Sequence, residues 1–175
     1  DVSANTVLKS LNCSHNNLLS LDLSSCKKLK NLDISFNSCG SSSSISLPKS
    51  PSVEKLNISS VLLDDFDFSR FSKLKELDCS NCNLLALKPA SMPLLEKLIC
   101  SGNLLDTLNL SRLSSLKHLD CSSNSIQTLK LPDTRSLNTL YCQNNLLTKL
   151  DLSGFSSLKK LNCSGNKLLG PDLRS

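Results

Sequence analysis

Leucine recurs at fixed intervals along this chain, and the clearest copy runs from 95 to 111: Leu95, Leu98, Cys100, Asn103, Leu105, Leu108, Leu110 and Ser111 in a polar background. Shifted by 21 residues, the skeleton returns as Leu116, Leu119, Cys121 and Asn124, and before it as Leu74, Leu77, Cys79 and Cys82. Eight units start at Leu8, Leu29, Val53, Leu74, Leu95, Leu116, Leu137 and Leu158, in steps of 21 except for 24 from Leu29 to Val53. A constant period of this length is the mark of a solenoid, in which each unit buries its apolar face only against its neighbours. Within a unit, the alternation Leu-x-Cys predicts a short strand with one face buried. Stacked about 4.8 Å apart, eight such strands predict a parallel sheet roughly 35 Å long. The few residues between Leu110 and Leu116 leave no room for a full helix, so extended or 3-10 connections are expected behind the sheet.

The ninth place of each unit holds Asn16, Asn37, Val61, Cys82, Asn103, Asn124, Asn145 and Asn166. An amide there can bond backbone groups where the chain leaves the strand, and a stack of amides makes a ladder. Val61 and Cys82 interrupt it, so units three and four are expected to be the least regular. The long second unit carries residues 39–52, rich in Ser, Gly and Pro, which reads as an inserted loop with Ser50 before Pro51 as a modifiable serine.

The pattern L-x-x-L-x-L-x-x-[N/C]-x-L, met here with Cys or Ile in the third apolar slot, resembles the leucine-rich-repeat family over residues 8–173. The 21-residue length is similar to the short, irregular class common in microbial proteins. The resemblance implies an α/β-type repeat solenoid dominated by β structure, a horseshoe or arc with a parallel concave sheet, in which 1–175 form one segment. Asp1-Val2-Ser3 and Asp172-Leu173 stand in slots held by Asp22-Leu23-Ser24 inside the chain, so the sequence starts and stops within a unit; it reads as a segment of a longer protein.

Composition narrows the function. Aromatic residues are 3%, so the core is aliphatic, and a net charge of +5 with both signs scattered does not make the clustered basic face of a nucleic-acid binder. No apolar run reaches membrane-spanning length. All nine cysteines fall on slots that the register points inward. Buried thiols pack as small hydrophobes, and their number predicts a reducing, cytoplasmic setting. Cys79-Ser-Asn-Cys82 has metal or redox spacing, but no second pair completes a four-ligand set. His118, Asp120 and Ser122 lie on one strand face, about 6.6 Å apart in succession, too far for a catalytic triad. The N-x-S matches at Asn12, Asn57, Asn109 and Asn162 arise from the repeat itself. No catalytic residue, metal or cofactor is assigned.

Two outward rows remain: Ser10, Asn31, Lys55, Glu76, Lys97, His118, Thr139, Lys160, and beside it Asn12, Asp33, Asn57, Asp78, Ile99, Asp120, Tyr141, Asn162. Ile99 and Tyr141 break the polar pattern, with Asp120 between them and Lys97 and His118 alongside. An apolar anchor ringed by charge resembles an interface hot spot. These five residues are the predicted partner-binding site of a non-catalytic protein-interaction module, either an intracellular scaffold or adaptor or, in other settings, the recognition segment of a microbial effector enzyme or a secreted adhesin.

Overall fold

A computed structural model describes residues 1–39, 44–48, 51–62 and 66–169. Eight three-residue strands form one parallel sheet: β1 (Ser10–Asn12), β3 (Asn31–Asp33), β5 (Lys55–Asn57), β6 (Glu76–Asp78), β7 (Lys97–Ile99), β9 (His118–Asp120), β11 (Thr139–Tyr141) and β12 (Lys160–Asn162). Their order in space is their order in the chain, each unit adding one rung. Pairing is strictly unit on unit: Leu98 lies opposite Leu77 and Leu119, Ile99 opposite Asp78 and Asp120. Two small parallel pairs run on the other side of the coil, β2 (Leu21–Asp22) with β4 (Ile45–Ser46) and β8 (Thr107–Asn109) with β10 (Thr128–Lys130). The remaining helical structure among the described residues is 3-10 in character, at Phe68–Arg70, at Pro89–Ser91 and at the single residue Ser44. The chain is thus a β-dominated parallel solenoid with almost no helix, as the repeat length demands.

The core is one continuous column of aliphatic side chains and thiols. Leu74, Leu95 and Leu116 are fully buried at one slot, Leu77, Leu98 and Leu119 at the next, and Cys79, Cys100 and Cys121 at the third. Each buried leucine contributes about 1.5–3 kcal/mol relative to exposure. Phe71 and Met92 are the large fully buried side chains at the ends of units three and four. Seven of the nine cysteines are buried; Cys13 and Cys163, on the first and last rungs, are partly exposed because each has a neighbour on one side only.

The amide ladder is present and does two jobs. Asn103 donates from Nδ2 to the carbonyls of Cys79 (2.9 Å) and Cys100 (3.0 Å), and its Oδ1 accepts from the N–H groups of Cys82 and Leu84 (both 3.0 Å). Asn145 repeats the bonds to Cys121 and Cys142 and accepts from Ile126. The irregularity expected at units three and four is absent from the sheet, whose register runs unbroken from β5 through β7. One reason is that Cys82 stands in for the missing amide, its Sγ donating to the carbonyls of Ile58 (3.1 Å) and Ser80 (3.3 Å). Those units differ from the others just after the ladder slot, where Asn83 (φ 56°) follows Cys82, and on the far side, where the turns Phe68–Arg70 and Pro89–Ser91 lie.

In the long second unit, Ile45–Ser46 pair in parallel with Leu21–Asp22, an offset of 24, whereas β1 and β3 pair at 21. The three extra residues therefore enter between Asp33 and Ile45, and Leu47 and Pro48 are already back in the buried column. Arg70 ties this return down, donating from its guanidinium to the carbonyls of Leu47 and Pro48. Ser50 lies outside the described residues.

Just before the ladder position, every unit places one residue in the left-handed region: His15, Phe36, Ser60, Asn81, Gly102, Ser123, Asn144 and Gly165, with φ between 53° and 65°; unit four adds a second, Asn83, just after that position. Gly and Asn suit this site. At Gly102 a Cβ would stand 2.1 Å from Oδ1 of Asn81 on the preceding rung, so the space as well as the backbone asks for glycine. Phe36 is the bulky exception, and its ring stacks on His15 with centroids 4.3 Å apart.

Candidate functional site

The outward row through Asn12 and Asp33 has a structural task that alternation alone does not reveal. After each strand the chain turns, and the Asn or Asp side chain accepts from the serine two residues on. Asp78 Oδ1 takes the Ser80 N–H (3.0 Å) and hydroxyl (2.7 Å), and Asp120 takes the same groups of Ser122 at 3.0 and 2.6 Å. Asn12, Asp33 and Asn162 take both groups of Ser14, Ser35 and Ser164 in the same way, and Asn57 takes the Ser59 N–H. The N-x-S matches follow from this capping, and Asn109 holds Ser111 likewise on the opposite side.

The contact between Asp120 and Ser122 corrects the strand-spacing estimate. The two are not 6.6 Å apart, because the turn folds the serine back onto the carboxylate. The same pair recurs at Asp33–Ser35 and Asp78–Ser80, so it is a turn cap, and among the described residues His118 is hydrogen-bonded to neither member.

Ile99 and Tyr141 are the two positions in the row that give up this cap. In exchange they present half-buried apolar surface on the sheet. The structure brings all five sequence-predicted residues together: Lys97, Ile99, His118, Asp120 and Tyr141 line one shallow groove of about 240 Å³, with Leu98, Leu119 and Thr139. Leu98 and Leu119 were read only as core and Thr139 as ordinary polar surface; the outward row already held Thr139 beside Tyr141. The groove is smaller than the roughly 300–1,000 Å³ of small-molecule sites.

A second, more polar depression of about 310 Å³ adjoins it across β1, β3, β5 and β6, lined by Asn12, Asp33, Asn57 and Asp78. There the row is locked internally, with Asn57 Nδ2 donating to Asp33 Oδ2 at 3.1 Å. Lys55 bridges Glu76 at 2.7 Å. Along the edge where the chain enters the sheet, Glu54 is shared by Lys30 (2.8 Å) and Lys75 (2.9 Å), and Glu96 pairs with Lys117 (2.7 Å). The hydrogen bonds from the two lysines hold the Glu54 carboxyl down at about 2.

The thiols carry no evident chemistry. Burial raises the acidities' midpoints of Cys79, Cys100 and Cys121 well above the ordinary thiol value, and pushes Cys142 up to about 12. The thiolate needed for nucleophilic attack or metal ligation is thereby disfavoured. Among the described residues no group of three or more His, Cys, Asp or Glu is placed to hold a metal ion, and no helix is long and apolar enough to cross a membrane.

Comparison with known proteins agrees with this geometry. The leucine-rich-repeat family model matches residues 73–93 and 115–135, two whole units. The functional domain of InlJ from Listeria monocytogenes, described as including a cysteine ladder, superposes with a TM-score of 0.89 at 32% identity, over 99% of this chain and 38% of that one. The chain thus spans well under half the length of that relative. The LRIM1/APL1C complex matches with a TM-score of 0.78 at 25% identity, over 94% of this chain and 32% of its own. A plant peptide hormone receptor, RGFR1 in complex with RGF2, matches with a TM-score of 0.76 at 24% identity, over 93% and 29%, a likeness of fold. Among curated proteins none matches in sequence. The repeat length, the unit-on-unit sheet, the Asn and Cys columns and these likenesses agree: the chain belongs to the leucine-rich-repeat proteins.

Proposed function

We propose that this chain is a non-catalytic module that docks a partner protein on the face of its eight-stranded sheet, at the groove between β7, β9 and β11. The observation that carries the reading is the loss of the turn cap at Ile99 and Tyr141. Six rungs spend this position on holding the turn, and two adjacent to one groove spend it on apolar surface. Solenoids bind through extended surfaces of this kind, and the fold is generally one of interaction, not catalysis. Two of the similar structures, LRIM1/APL1C and RGFR1 with RGF2, are themselves complexes.

The same reading makes the chain a scaffold or adaptor segment. The nine unpaired thiols support a reducing, cytoplasmic setting, which thiol counting on the folded protein tests directly. Affinity capture from the native host, with the 175-residue chain as bait, supplies the partner. Tyr141→Ala and Ile99→Ala should each weaken its binding by about 2 kcal/mol or more, as hot-spot truncations do, while lowering the melting temperature by no more than about 6 °C. Unchanged affinity in both variants removes the groove from the account.

A further inference from the structure

Ile99 and Tyr141 stand two rungs apart, about 10 Å at 4.8 Å per rung, with Asp120 on the rung between them. The gap opens over Leu119 and is closed at its two ends by the apolar side chains. A space of about 240 Å³, open along its length, takes one large side chain of a protein segment more readily than a free small molecule.

The charge around this gap is uneven. Lys30, Lys55, Lys75 and Lys117 all sit in ion pairs with Glu54, Glu76 or Glu96. Lys97, beside Ile99, and Lys160, opposite Thr139 on the next rung, are exposed and make no ion pair among the described residues. The one carboxylate between them, Asp120, is already engaged by Ser122 through Oδ1. Lys97 and Lys160 are three rungs apart, about 14 Å, which an extended chain crosses in about four residues.

Resting on the docking reading above, we propose that the groove recognises an acidic segment of a partner protein built around one bulky apolar residue. The apolar side chain sits between Ile99 and Tyr141, and carboxylates about two residues to either side of it meet Lys97 and Lys160. The apolar contact supplies affinity, and the paired lysines set the sign of the flanks, since charge complementarity at an interface governs specificity and encounter more than raw affinity.

The test uses displayed random peptides selected on the whole chain and counter-selected on the Ile99→Asn/Tyr141→Ser variant, after thermal melts establish that both baits are folded. The expected outcome is a groove-dependent family of peptides with a large apolar residue flanked on both sides by Asp or Glu. Their affinity should fall at least about fivefold for Lys97→Glu/Lys160→Glu at about 50 mM salt, with the difference shrinking near 0.5 M as the charges are screened. Groove-dependent peptides with basic or uncharged flanks overturn the acidic partner and leave the docking reading standing. Peptides that bind both baits alike, or none enriched at all, overturn the two together.

Discussion

Replacing Ile99 by Asn separates the fold from the groove more cleanly than a truncation does, because the molecule already contains the answer at another rung. Asn57 sits between Asp33 and Asp78 as residue 99 sits between Asp78 and Asp120. Its Oδ1 accepts from the Ser59 N–H at 3.0 Å and its Nδ2 donates to Asp33 Oδ2 at 3.1 Å. An Asn at 99 gains the equivalent bonds to Ser101 and Asp78, each about 0.5–1.5 kcal/mol net. It loses the apolar contacts of a half-buried isoleucine, about 1–1.5 kcal/mol. These opposite terms leave Ile99→Asn within about 1 kcal/mol of the parent, a shift of no more than about 4 °C in melting temperature. Asp would be a poorer choice, since it would set three carboxylates side by side across the sheet. Thermal and urea unfolding followed by circular dichroism, with binding of the captured partner measured on the same samples, gives both readouts. Near-parental stability with binding lost is the expected result. A loss of more than about 2 kcal/mol would place Ile99 in the core, and full retention of binding would remove it from the groove's contact; either outcome contradicts the proposal.

Three further outcomes follow from the rest of the structure. Asn103→Ala removes side-chain bonds to three carbonyls and two N–H groups, and should cost about 2–4 kcal/mol by urea midpoint, since buried polar groups left unmade lose about 1–3 kcal/mol each before relaxation. The Glu54 carboxyl should titrate by NMR at about 2; because its folded midpoint lies below the ordinary 4.5, its contribution to stability is present above that value and is lost as pH falls toward 2, and Lys30→Met/Lys75→Met should return the midpoint upward. Under native conditions a disulfide-exchange reagent should modify Cys13 and Cys163 first, with Cys79, Cys100 and Cys121 reacting only on unfolding.

Much of the fold was legible because every unit repeats the same physical problem. Leu98 must be buried on its strand whichever rung it occupies, and alternation around it declares which neighbours face outward. The Asn column was legible for the same reason, since an amide recurring after a strand has backbone to satisfy. What escaped was substitution of one chemistry for another: Cys82 keeps the ladder by lending its thiol to the carbonyl of Ile58, so a break in the pattern of letters was no break in the pattern of bonds. The turn chemistry escaped too. Asp120 looked like a free charge at the groove, yet the turn brings Ser122 onto it at 2.6 Å, a contact that straight-strand spacing does not anticipate. The stacked His15–Phe36 pair gave a signal only in retrospect, as aromatic residues in a column otherwise given to Gly, Asn and Ser. Ile99 and Tyr141 were visible from the start as departures from a polar row, and the structure supplies what the row was for.

On the proposed function, the repeats build the scaffold and the groove on β7, β9 and β11 meets the partner. Amide chemical-shift mapping of the isotope-labelled chain, titrated with the captured partner, tests it most directly. The largest shifts are expected at Lys97–Ile99, His118–Asp120 and Thr139–Tyr141. Shifts centred instead on Thr107–Asn109 and Thr128–Lys130 behind the sheet, or on the His15–Phe36 rim, would contradict it.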